Sequence, residues 1–187
     1  AASLWRRPAL ARAGLAWGMV YMALGVMQRE AAEDMGYALA AQRGHQPLRL
    51  EAKPSFGNIL VWKTVYETGD RYHVDGVRAT LWPRVYPGDS VLKLDLDRDM
   101  PWLDRSSQQA LDIERFRWFS NGYIARDPIY ANRVMDIRYS LLPNEIVPLW
   151  SIELRPEAQR EEHVLYQVHR DPSADRAQRL WEMLFSR

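Results

Sequence analysis

The chain has 187 residues, 47% of them hydrophobic and 26% charged, which is the composition of one globular domain with an appendage rather than of a disordered protein. Twenty-five Lys and Arg are balanced by 24 Asp and Glu, which argues against a broad basic surface, so no nucleic-acid partner is expected. The absence of cysteine excludes disulfides, Cys-ligated zinc, iron–sulfur clusters and thiol nucleophiles, while 8 Trp and 9 Tyr suit an aromatic core or a protein working beside a membrane interface.

The average hides a boundary between residues 1–46 and 47–187. The first segment carries five Arg and three acids, and the second 20 basic and 21 acidic residues. Within the first, Ala13 to Met27 has no charged or strongly polar side chain, and Ala9 to Arg12 extends the run with Arg12 as its only interruption. Fifteen helical residues rise about 22 Å, short of a hydrocarbon core of about 30 Å. The stretch is apolar all round, as in a membrane span or a fully buried helix. Arg6, Arg7 and Arg12 precede it, Arg29 follows, and Trp5, Trp17 and Tyr21 are placed as interfacial anchors. A secretory signal fits poorly, because more helix follows where a cleavage site would stand. Two readings stay open. Residues 9–27 enter or lie on a membrane, in a chain that is the tail of a longer protein; or they form one long helix docked on its own domain or on a second copy, as a homo-oligomer. Ala31, Met35, Ala38 and Leu39 continue the helix with an amphipathic face, and Gly44 with Pro47 marks its end, which predicts one helix from about Pro8 to about Arg43.

From Leu48 the pattern turns to strands. In Asn58 to Tyr66, Ile59, Val61, Lys63 and Val65 point one way and Leu60, Trp62, Thr64 and Tyr66 the other. Glu67 to Asp70 is a turn, and Tyr72 to Leu81 reads as the returning strand of a hairpin. Val91 to Asp97 alternates strictly, with Leu92, Leu94 and Leu96 on one face. A helix follows, capped by Ser106 or Ser107 and ended by Asn121-Gly122. Asn132–Leu141, Val147–Arg155 and Glu162–Arg170 are further strands with one apolar face each. A last amphipathic helix, capped by Ser173, carries Ala177, Leu180, Trp181, Leu184 and Phe185 as a cover for the sheet. The fold expected is α+β: a long N-terminal helix, then an antiparallel sheet of about six strands covered by two helices.

Chemistry-bearing motifs are sparse. There is no HExxH, GxSxG or phosphate loop among the 187 residues. His73 and Asp75, two apart on one face of the hairpin, are the candidates for a metal site or an acid–base pair. His163 and His169 are too far apart along a strand to share a metal. Asp95, Asp97 and Asp99 give the DxDxD part of a calcium loop, but Met100 and Ser106 stand where its glycine and closing acid belong. Asp136 and Arg138 share a strand face as a further candidate pair, read first as a structural charge network.

Three strings carry a resemblance. They are Lys53-Pro54-Ser55-Phe56-Gly57-Asn58 running into Val61-Trp62-Lys63, Phe116 to Gly122 (FRWFSNG), and Val134 to Tyr139 (VMDIRY). In this order, behind a hydrophobic helix, they resemble the C-terminal region of the bacterial inner-membrane family of membrane-bound metal-dependent hydrolases, over about residues 5–155. The resemblance implies an extramembrane domain without a complete active site, a divalent metal whose His and Asp ligands lie outside this chain, and a place in the bacterial inner membrane. Positive-inside counting then favours a periplasmic body, with a cytoplasmic body as the other reading. Two alternatives remain: a binding or scaffold module for a protein, lipid or small molecule, using Trp82, Tyr86 and Trp102; and a self-contained enzyme using His73, Asp75 and Asp136 or Arg138.

Overall fold

The computed structural model describes residues 8–170 and 173–185; Trp5, Arg6 and Arg7 fall outside them. The chain opens with α1 (Pro8–Gln42), a helix of 35 residues and so about 52 Å long. It ends where the sequence indicates. Gly44 has φ +72°, its N–H donates to the Ala41 carbonyl, and the His45 N–H reaches the Ala40 carbonyl at 2.9 Å, a Schellman closure.

The first sheet comprises β1 (Arg49–Pro54), β2 (Val61–Glu67), β3 (Arg71–Arg78), β4 (Arg84–Tyr86) and β5 (Ser90–Leu92), all antiparallel, with β4 and β5 both pairing with β3. Next come the short helix α2 (Leu96–Asp99) and α3 (Gln108–Phe119). The second sheet runs in order through β6 (Ile124–Arg126), β7 (Arg133–Asp136), β8 (Trp150–Glu153) and β9 (Leu165–Val168), and α4 (Ala174–Phe185) closes the chain. The expected α+β class, with its long leading helix and antiparallel strands, is what the chain adopts, and the strands divide between two sheets.

The alternation read in β2 builds the layers. Trp62 packs with Ala32 of α1, and Tyr66 with Ala40, so α1 lies on that face. Gly36 is required there: a Cβ on it would sit 2.9 Å from Leu50 Cδ1 and 3.2 Å from Thr64 Cγ2. On the other face Val65, with Val74 and Val91, meets Tyr123, Ala125, Met135 and Ile137 of the second sheet. That sheet turns Ile124, Val134 and Ile152 toward Ala110, Ile113 and Phe116 of α3. The order of layers is therefore α1, first sheet, second sheet, α3. The last helix, α4, packs Met183 against Val61 and Leu142 beside the second sheet, so it covers the first sheet as expected.

Several local expectations change. The Val91–Asp97 alternation ends early: Val91 is buried and Leu92 exposed, and Asp95 caps α2 by accepting from the Asp97 and Arg98 N–H groups. The alternating leucines concealed an N-cap. Of the two serines offered as cap of α3, Ser107 serves, accepting from the Ala110 N–H at 3.3 Å, as one of the alternatives had it. On the edge strand β9, Tyr166 and Val168 are 63% and 58% exposed, with the Tyr166 ring set edge-on to Phe116 of α3. On α4, Leu180 and Leu184 pack inward while Trp181 and Phe185 point out.

Candidate functional site

The largest feature without a structural partner is the first half of α1. Its apolar window has mean hydropathy 1.4 with no residue buried. Leu15, Trp17, Met19, Met22 and Met27 are each at least 59% exposed, while the buried residues of the helix are Ala32, Gly36 and Ala40. The second half of α1 is bolted to the sheet; the first half leaves the body. Residues 8–27 rise about 30 Å, enough to cross a hydrocarbon core. The protein thus has one helix, among the described residues, long and apolar enough to span a membrane.

The candidates His73 and Asp75 do share one face of β3, and that face lies under the end of α1. Asp75 is fully buried and bidentate with Arg43, at 2.7 and 2.8 Å, and its Oδ1 also accepts the Gly88 N–H at 2.9 Å. Gly88 permits that contact because a Cβ there would lie 2.3 Å from the Asn144 carbonyl oxygen. The hydrogen bonds to Asp75 hold the Arg43 guanidinium well above its ordinary range. Tyr66 Oη lies 3.2 Å from Arg43 and 2.8 Å from His45 Nδ1. The Tyr66 and His73 rings stack at 4.7 Å, and the His45 and His73 rings lie 4.5 Å apart. Burial, then the nearby His45 and Arg43, push the His73 pKa down. Asp75 is buried in a bidentate pair with Arg43, and the pair fixes the helix to the sheet.

Asp136 and Arg138 form the charge network read in the sequence. Asp136 is fully buried; its oxygens take Arg138 Nε at 3.0 Å and Nη2 at 2.7 Å, and Arg138 also donates to the Phe119 carbonyl at 2.9 Å. Nothing brings this pair to His73 or Asp75: it faces the end of α3, whereas those two face α1.

Sequence reasoning missed Lys63. It is 3% exposed and donates to Ser140 Oγ at 2.9 Å and to the Glu145 carbonyl at 2.5 Å. Burial pushes its pKa down to about 7, against opposing pulls from Asp136 and Glu145. A lysine beside a serine is also the arrangement of a Ser–Lys nucleophile. Here Ser140 is 7% exposed and its hydroxyl donates to the Leu142 carbonyl at 2.5 Å, so the pair clamps the 138–149 loop to β2. The available signal was a lone Lys in the apolar set of an alternating strand.

The acidic run is absorbed locally: Asp95 caps α2, Arg98 and Arg105 bind Asp99 and Asp97, and Asp104 accepts from the Ser106 N–H and hydroxyl. His163 Nδ1 meets Asp112 Oδ2 at 2.8 Å, and His169 Nε2 meets Ser151 Oγ at 2.7 Å. Among the described residues no group of three or more His, Asp or Glu is placed to hold a metal ion. A polar cavity of about 240 Å³ is lined by Arg71, Arg98, Arg126 and Asp99, with Arg71 held by Ser90 and Arg98 by Asp99. An apolar cavity of about 330 Å³ lies between Phe56, Leu141 and Leu180.

The three strings that carry the resemblance meet in space. Asn58 organises the first by accepting from the Leu60 and Val61 N–H groups, which leaves Phe56 at the loop tip and Gly57 at φ +71°. Arg138 of the third string bonds Phe119 of the second, and Lys63 of the first bonds Ser140, the second residue after Arg138. Their shared role in this chain is to tie the two sheets and α3 together. Comparison with protein-family models, curated proteins and solved structures returned no match to the chain.

Proposed function

We propose that this chain is the extramembrane domain, with its membrane helix, of a bacterial inner-membrane protein of the membrane-bound metal-dependent hydrolase type, and that catalytic groups come from outside residues 1–187. The observation that carries the reading is the division of α1 into a docked half and an apolar half exposed from the body. The anchor part of the reading rests on that exposure; the hydrolase part rests on the three strings alone. It is consistent with body carboxylates committed to structural cations: Asp75 to Arg43 and Asp136 to Arg138. The domain would then serve as a rigid extramembrane partner to a membrane-embedded centre, on the periplasmic side.

The test is metal titration and hydrolysis with the chain purified in detergent. Calorimetry with Zn²⁺ and Mn²⁺ should give no tight stoichiometric binding, and phosphodiester and ester substrates should not turn over. Tight one-to-one binding accompanied by hydrolysis would overturn the assignment of catalysis to other segments.

A further inference from the structure

The way α1 sits on the first sheet fixes which end of the body faces the membrane. Ala32 packs with Trp62, Gly36 stands over Thr64, and Ala40 packs with Tyr66. Four helical residues rise about 6 Å and two strand residues about 6.6 Å, so α1 and β2 run side by side in the same direction. The exposed half of α1 therefore projects past the start of β2, where the β1–β2 and β3–β4 loops lie.

Those loops carry the exposed apolar side chains Phe56 (66%), Leu81 (90%) and Trp82 (75%). Leu81 is four residues beyond Val77, up to about 13 Å, and Ala32 to Ala23 is a rise of similar size, about 13 Å. The loop tips thus lie no farther out than about the level of Ala23, beside the last turn of the uncharged stretch of α1. Arg78 donates to the Met183 and Leu184 carbonyls and so brings the C-terminal turn of α4, with exposed Trp181 and Phe185, to the same end. Charge at this end is light: Lys63 and Arg78 are buried, Lys53 pairs with Glu51, and Arg84 at the start of β4 is exposed, whereas the turn at the opposite end of the sheet holds the exposed Asp70. Exposed aromatic and aliphatic loop tips beside the apolar half of α1 match the interfacial level of a bilayer.

We propose that Phe56, Leu81 and Trp82, flanked by Trp181 and Phe185, form a second membrane contact that seats the body on the lipid surface around the emerging α1. This rests on the reading of α1 as a membrane anchor. One or two aromatic loops insert to the headgroup level; the body stands upright on them with the Glu67–Asp70 turn in water.

The absence of cysteine makes the test direct. Single variants Phe56→Cys, Leu81→Cys, Asp70→Cys and Leu15→Cys, made in the full chain, are labelled with an environment-sensitive fluorophore. They are reconstituted in phosphatidylcholine vesicles with about 30% phosphatidylglycerol and read with headgroup- and chain-nitroxide lipids. Quenching at positions 56 and 81 should exceed that at position 70 by at least roughly twofold, and the double variant Leu81→Glu/Trp82→Glu should lower it at position 56 without releasing the chain. Strong quenching at position 15 with water-like signals at 56 and 81 would overturn the second contact and leave the anchor standing. A water-like signal at position 15 would overturn the anchor reading itself. Protection at 56 and 81 without lipid quenching would assign the loops to a protein partner and overturn the proposal.

Discussion

Replacing Lys63 by Met should abolish a rise in stability that the wild-type chain shows between pH 7 and about 9.5. The folded chain holds this amine near pKa 7 against an ordinary 10.5, because burial strips its water. Between those values the unfolded chain binds a proton that the folded chain lacks, so stability increases with pH, at up to about 1.4 kcal/mol per pH unit and by about 3 kcal/mol across the window. The neutral amine has two N–H groups for its two acceptors, Ser140 Oγ and the Glu145 carbonyl. Met fills the same volume but leaves the Glu145 carbonyl without that donor, a cost of about 1–3 kcal/mol. The variant should therefore be more stable than wild type at pH 6 and lose that advantage by about pH 9.5. Urea unfolding in detergent at pH 6, 7, 8, 9 and 9.5 measures it. The series stops there because Tyr72 and Tyr123, pushed up mainly by burial, lower stability at higher pH. A flat wild-type profile, or a Lys63→Met profile with the wild-type slope, would refute the reasoning.

Arg43→Gln strands the buried Asp75 carboxylate and should cost about 3–5 kcal/mol in urea melts, whereas Arg29→Gln, removing a surface i,i+4 pair, should cost under about 1 kcal/mol. Gly36→Leu should destabilise the body by about 1–3 kcal/mol by pushing α1 off Leu50 and Thr64, while Gly18→Leu, with nothing within 4 Å of its Cβ position, should leave the melt unchanged. His73 and His169 are both held below their ordinary 6.5, mainly by burial, so the unfolded chain takes up their protons first as pH falls. Stability should drop from pH 6.5 downward, and the double variant His73→Gln/His169→Gln should flatten that limb between about pH 6.5 and 5.5.

How far the fold could be read depended on how many physical signals agreed at each element. In β2 the alternation had only one strand reading, and Trp62 and Val65 face different layers as it requires. α1 was legible along Pro8–Gln42 and at its Gly44 stop. β1 was not: RLEAKP is poor in β-branched residues, and its strand state comes from register with β2, Leu50 opposite Tyr66 and Ala52 opposite Thr64. The Val91–Asp97 run misled because LDLD serves both an alternating strand and an N-cap. Among the candidate residues, the shared face of His73 and Asp75 followed from their spacing of two. Their surroundings did not, since Arg43 and His45 arrive from about 30 residues away on the helix end. Asp136 and Arg138 pair locally and so were visible as a pair. The burial of Lys63 depends on the 138–149 loop, which no local pattern announces.

Flotation on liposomes tests the central claim most directly. The full chain, mixed with phosphatidylcholine and phosphatidylglycerol vesicles and centrifuged through a density gradient, should rise with the lipid and stay there after alkaline and high-salt washes. Met22→Arg, which puts a charge in the exposed apolar half of α1 at a cost of about 2.5–3.5 kcal/mol in a bilayer, should weaken that retention. A chain that remains at the bottom of the gradient as a discrete oligomer, with α1 protected by a second copy, would contradict the account.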